Sequence, residues 1–207
     1  MPIITEIKLQ KKKKSVNIYI DGKYGFSLDL ENFLKTGLKA DTELSDDEIE
    51  KLKNTGSFAI TKEKLLNFAT IRPRSEKEID LWLRRKKVAQ EFYSDLKKRL
   101  VELELLDDLK FANWWIDQRN LFRPKSEKAL YLELKAKGIS ADLIKQSISS
   151  NKPDEKKIAL GFLTKRLYKW QKLEGDIKKQ KMTQYLVSKG FDWDVVRSAI
   201  DEFEENT

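Results

Sequence analysis

The sequence predicts a mainly α-helical protein, a tandem array of three three-helix repeats preceded by a small α+β unit that contains a β-hairpin. Three observations predict it. The stretch RPRSEKEIDLWLRRKK at 72–87 returns as RPKSEKALYLELKAKG at 123–138, a constant shift of 51. Charged residues make up 37% of the chain against a typical quarter, while its 207 residues include only 8 Gly and 4 Pro, a balance that favours helices with charged faces. Strand-like alternation is confined to residues 3–28.

The N-terminal unit is placed at residues 1–56. SVNIYIDGKYGFSLDL alternates on both sides of Asp21-Gly22, a strong hairpin signal. A two-residue loop would pair Ile20 with Lys23 and set Val16, Ile18 and Ile20 on the opposite face from Tyr24, Phe26 and Leu28. A three-residue loop pairing Ile20 with Tyr24 is therefore expected. IITEIKLQ supplies a third strand, and the Lys11–Lys14 run reads as a turn or exposed edge. Ser45 and Glu48 form a capping box, with Leu44 and Ile49 spaced as a hydrophobic staple for a short helix. The NTG at 54–56 is expected to break that helix and end the unit.

Repeats are assigned to residues 57–107, 108–152 and 153–207. Each begins with a helix bearing apolar residues at helical spacing: Leu65 and Ala69, then Phe111, Trp115 and Ile116, then Leu160, Leu163 and Leu167. The second helix follows Pro73 or Pro124, which stop the preceding helix, and is capped by Ser75 or Ser126. A shift of 52 carries Leu130, Leu134, Lys137, Gly138 and Ile144 onto Met182, Leu186, Lys189, Gly190 and Val196. Gly138 and Gly190 end their helices in the left-handed conformation, before third helices marked by Leu143/Ile144 and Val195/Val196. The first copy has Lys87 instead, so its second helix is expected to end differently or run on. A period near 50 residues signals units that bury their faces against neighbours.

The chain has no Cys and no His. That excludes disulfides, thiolate and imidazole metal sites and Ser-His or Cys-His nucleophile pairs. An enzyme would need carboxylate-bound Mg²⁺ or Lys chemistry, and the polar positions recur like for like instead of converging in one unit. The first residues carry their charge after the apolar stretch, unlike a signal peptide, and no apolar run approaches the roughly 20 residues of a membrane span, so a cytoplasmic address is expected.

The net charge of +8 is uneven: residues 1–56 hold 10 Lys and 10 acidic residues, leaving 32 basic and 24 acidic in 57–207. In the first copy Arg72, Arg74, Lys77, Arg84, Arg85, Lys86 and Lys87 lie close together; the second repeats them in part as Arg123, Lys125, Lys128, Lys135 and Lys137. On an array these form a stripe suited to phosphates or an acidic groove; the plainer alternative is a solvated helix face. Trp82, Trp114, Trp115, Trp170 and Trp193 are spaced mostly for packing, with Trp82 and Trp114 the expected exposed pair. Asp107-Asp108 reads as a helix cap and not a metal pair, and the acidic DEFEEN at 201–206 as a fraying helix end.

RPRSEKEIDLWLRRK, LLDDLKFANWWIDQR and RPKSEKALYLELKAKGI together resemble the hallmark segments of the RecX family of bacterial recombination regulators, over roughly residues 57–205. The N-terminal unit is similar to the extension that longer members carry. The resemblance implies a curved helical array, acting as a monomer, that lodges in the groove of the RecA filament on single-stranded DNA. It implies suppression of strand exchange and of co-protease activity, in DNA repair and the SOS response, without catalysis or cofactor. A helical-repeat adaptor or a general nucleic-acid-binding protein with another partner is the alternative.

Overall fold

The computed structural model describes residues 1–10 and 15–206, so the Lys11–Lys14 run lies outside the described residues. The chain divides into two compact units: Met1–Arg72 with Leu83–Leu103, and Pro73–Trp82 with Glu104–Thr207. The helices of the first repeat are thus shared between units.

In the first unit, strands β1 (Ile4–Leu9), β2 (Ser15–Ile20) and β3 (Lys23–Asp29) form an antiparallel sheet in that order. The loop differs from the expected one. Asp21 (φ 48°) and Gly22 (φ 76°) form a two-residue turn, and Ile20 pairs with Lys23. Parity is restored by a bulge: Tyr19 pairs with Tyr24, but Ile18 pairs with Phe26, so Gly25 is the extra residue. A Cβ on Gly25 would lie 2.9 Å from Ile20 Cδ1 and 3.3 Å from Ile18 O, so a side chain there would require Ile20 to shift. Beyond the bulge Val16, Ile18, Phe26 and Leu28 share the buried face with Ile4 and Leu44.

Helix α1 (Leu30–Thr36) follows, capped by Asp29 and closed by Gly37 at φ 65°. Helix α2 (Asp46–Thr70) starts with the expected capping box, Ser45 Oγ accepting from Glu48 N while Glu48 accepts from Ser45 N. The expected break at 54–56 is absent. α2 runs through it, because Gly56 is buried against β3 so closely that a Cβ would stand 2.0 Å from Ser27 O. The glycine allows close packing here and does not end the helix. Later along α2, Phe58 stacks on Phe92 at 5.1 Å, at the start of helix α4 (Tyr93–Glu102).

Helix α3 (Glu76–Arg85) is the second helix of the first repeat. Lys87 takes φ 53°, so the helix ends as its counterparts do, with a lysine in the left-handed position. Val88 N bonds to Leu83 O, as Ile139 N does to Leu134 O and Phe191 N to Leu186 O.

The second repeat comprises α5 (Asp108–Phe122), α6 (Glu127–Ala136) and α7 (Ala141–Ser150). Phe111, Ala112, Ile116, Leu130, Leu134 and Ile144 form its core. The third comprises α8 (Glu155–Thr164), the short α9 (Leu167–Trp170), α10 (Gly175–Ser188) and α11 (Trp193–Glu205), around Leu163, Met182, Leu186, Val196 and Ile200. In both, the first helix lies against the third. The acidic end does not fray: Phe203 is buried, Glu202 pairs with Lys156 at 2.5 Å, and Lys179 reaches Asp201 at 3.3 Å.

Candidate partner-binding surface

The repeated second helices begin with a seryl cap that does two things. Ser75 Oγ, fully buried, accepts from Glu78 N and donates to Lys137 O at 2.8 Å, the last carbonyl before Gly138. Ser126 repeats this at the next junction, accepting from Ala129 N and donating to Lys189 O at 2.8 Å. Each hydroxyl therefore caps its own helix and ties it to the second helix of the following repeat.

A carboxylate at the start of the next repeat completes the joint. Glu76 N donates to Asp108 Oδ1 at 2.8 Å, and Glu127 N to Glu155 Oε1 at 2.9 Å. Asp107 caps α5 as expected, accepting from Leu109 N and Lys110 N, whereas Asp108 serves a different helix, a role that sequence reasoning missed. Burial pushes the Asp108 and Glu155 carboxyls above the usual range, and their backbone hydrogen bonds offset this only in part.

The docking also explains the glycines. A Cβ on Gly138 would lie 2.7 Å from Lys77 Cβ, and one on Gly190 2.9 Å from Ser126 Oγ. Lys87 is exposed, and its likeness to Gly138 and Gly190 lies in its φ and the helix-ending hydrogen bonds.

The basic residues separate into two groups. Arg74, nearly buried, reaches Glu78 at 4.0 Å; Lys137 binds Glu78 at 2.8 Å and lies over the Trp115 ring. Lys77 Nζ donates to Ala136 O at 3.1 Å, at the C-terminal end of α6. Lys125 pairs with Glu133, which also accepts from Arg119 Nε at 2.7 Å and Trp115 Nε1 at 3.0 Å. Burial would raise the Glu133 pKa, but the hydrogen bonds from Arg119, Lys125 and Trp115 prevail and hold it below the usual range. Of the predicted cations, Arg74, Lys77 and Lys137 are thus engaged at the first joint and Lys125 within the second repeat. Arg84, Arg85, Lys86, Lys87, Arg123, Lys128 and Lys135 are exposed, and Arg72 is half-buried. Trp82 and Trp114 are half-buried; the exposed tryptophan is Trp193, at the first position of α11, one turn before Val196 enters the core.

Between the second and third repeats lies a cleft of about 890 Å³. Its apolar wall is formed by Phe122, Pro124, Pro153, Ile158 and Phe162; its cations are Arg123, Lys125, Lys152, Lys157, Lys165 and Lys189, and Asp154 adds one carboxylate. Of these cations only the first two had been picked out from the repeat. Lys152 and Lys165 flank α8 and Lys157 lies within it, all outside the aligned segment, and only Lys189 carries a signal, by aligning with Lys137. Phe122 is 74% exposed and Ile71, its counterpart at a shift of 51, is 78% exposed; each precedes the Arg-Pro pair.

Comparison with known proteins accounts for this arrangement. Residues 2–45 match the regulatory protein RecX N-terminal domain, 107–148 the RecX second three-helix domain and 154–200 the third three-helix domain. The regulatory protein RecX of Bacillus licheniformis is 34% identical over 204 residues, 98% of this chain and 78% of that protein. That of Bacillus subtilis is 34% identical over 206 residues, 99% and 78% of the two chains. A crystal structure of regulatory protein RecX aligns with a TM-score of 0.73 at 25% identity, covering 97% of this chain and all of that one. RecX from Lactobacillus salivarius shares the fold, with a TM-score of 0.64 at 21% identity over 71% of this chain and 96% of that one. With its sheet, its two matched three-helix domains and relatives alike along nearly its whole length, the chain belongs to the RecX family of regulatory proteins.

Proposed function

We propose that this chain is a non-enzymatic regulator that binds the RecA filament on single-stranded DNA as a monomer and restrains its strand exchange and co-protease activity. The setting is DNA repair and the SOS response in the cytoplasm. The three-helix repeats are the proposed binding units, with the sheet as an N-terminal element ahead of them. The observation that carries the reading is that cations remain exposed in successive copies after the joints have taken theirs. They are Arg84 and Arg85 in the first copy, and Arg123, Lys128 and Lys135 in the second. A filament of protein on a polyanion offers phosphates and acidic surface to such groups.

The test is strand exchange and ATP hydrolysis by RecA on single-stranded DNA, with and without the protein. Inhibition at or below one protein per recombinase subunit is expected. Unchanged exchange at saturating protein overturns the reading. Replacing Arg84, Arg85, Lys128 and Lys135 with Gln keeps helix propensity and leaves the seryl and carboxylate bonds of the joints in place. The variant should bind the filament more weakly and with a shallower salt dependence, because fewer counterions are released. Equal affinity and equal slope in the folded variant would return these residues to a solvated face.

A further inference from the structure

We propose that the cleft between the second and third repeats is a binding site for an acidic peptide segment carrying an apolar side chain. The inference rests on a comparison of the two junctions and stands or falls separately from the filament reading.

At the first junction Glu78 supplies a carboxylate to two cations, Arg74 at 4.0 Å and Lys137 at 2.8 Å. The repeat shifts carry Arg74 onto Lys125, Lys137 onto Lys189, and Glu78 onto Ala129. Both cations are therefore kept at the second junction while the carboxylate between them becomes a methyl group. All three positions line the cleft. Lys125 turns instead to Glu133 and Lys189 lies 5.5 Å from the Tyr185 ring centroid, neither meeting a carboxylate from the 129 position. Lys152, Lys157 and Lys165 add positive charge around the same cleft. The cleft lining sets six cations against one carboxylate, Asp154, with Glu133 taking up Lys125, so positive charge stays in excess and an acidic peptide can offset it.

The apolar wall decides the rest of the ligand. Phe122, Pro124, Pro153 and Ile158 offer carbon surface beside those cations, which fits an apolar side chain between acidic neighbours. A single nucleic-acid strand is less well served, because it needs a succession of free aromatic faces. Phe162 is already packed edge-to-face with Phe191 at 5.8 Å and Tyr185 at 6.2 Å, leaving Phe122 as the exposed ring.

The experiment uses fluorescence anisotropy of a short labelled peptide of aspartates flanking one phenylalanine, with the full chain. Saturable binding in the micromolar range is expected, weakened at least about tenfold when the phenylalanine is replaced by alanine. Ala129→Glu restores the internal carboxylate and should weaken binding by at least about tenfold. Should that variant fold poorly, Lys157→Ala with Lys165→Ala, both exposed, carries the same expectation, and circular dichroism checks that its melting is unchanged. Any of three results overturns the proposal: no saturable binding at millimolar peptide, parental affinity in a folded variant, or equal affinity for the phenylalanine-free peptide. Tighter binding of an oligodeoxythymidylate that displaces the peptide would also overturn it, assigning the cleft to nucleic acid.

Discussion

Lys87 sits at φ 53° where the later copies place Gly138 and Gly190. A non-glycine residue pays about 1–2 kcal/mol for that conformation, whereas glycine gives back roughly half through the freedom it gains in the unfolded chain. Lys87→Gly should therefore stabilise the protein by about 0.5–1 kcal/mol, read as a higher urea midpoint at unchanged slope. Gly138→Ala should do the reverse by more, since its Cβ meets Lys77 at 2.7 Å as well as the same backbone strain. A loss of stability in Lys87→Gly would show that its side chain makes a contact worth more than the strain. Glu133 gives a second residue-level expectation. Its pKa is held below the ordinary glutamate value, so its stabilising effect is fully present above about pH 4.5 and is lost as pH falls through the folded-state value. Glu133→Gln should cost about 1–2 kcal/mol at pH 7, and the two melting curves should converge in acid. A gap that persists after Glu133 is protonated in both states would place the loss in packing and not in charge.

Helix α2 shows how far element-level reading reaches. Ser45, Glu48, Leu44 and Ile49 announced its start, because capping chemistry is local to a few residues. Its continuation through Gly56 was not legible, since the reason lies on another element, the carbonyl of Ser27 on β3. The hairpin divides in the same way. Alternation revealed both strands, whereas the bulge at Gly25 is a matter of cross-strand register that alternation does not report. The seryl caps were legible for the same local reason; that they also reach the next repeat was not, because those partners stand 62 and 63 residues away. At the candidate surface this separated the cations only once the folded partners were visible. Gly56→Ala tests the element-level explanation by sign. Helix propensity alone predicts a gain of about 1 kcal/mol, while forcing a Cβ onto Ser27 O predicts a net loss of about 2 kcal/mol or more. A more stable Gly56→Ala protein would mean that α2 does not need its close approach to β3.

The second and third repeats are joined by a small set of polar bonds at one place, Ser126 Oγ to Lys189 O and Glu127 N to Glu155, beside the close approach at Gly190. In a stacked array each unit contributes its own core and a nearest-neighbour term, so weakening a joint should act unevenly along the chain. Ser126→Ala removes both the cap of α6 and the donor to Lys189 O, which leaves an acceptor unpaired at a buried joint. The expected cost is about 2–3 kcal/mol, the sum of a lost cap and an unsatisfied carbonyl. Ser75→Ala, the same change one joint earlier, provides the comparison. Native-state hydrogen exchange reads the distribution: in Ser126→Ala the amides of α8, α10 and α11 should lose more protection than those of the sheet, whose core of Ile4, Ile18, Phe26 and Leu28 makes no use of this joint. Uniform loss from sheet to α11 would mean that the chain opens as one cooperative body and that the junction bonds are not separate couplings. Loss confined to α6 would mean that Ser126 matters as a helix cap alone and that the reach to Lys189 adds nothing to the joint.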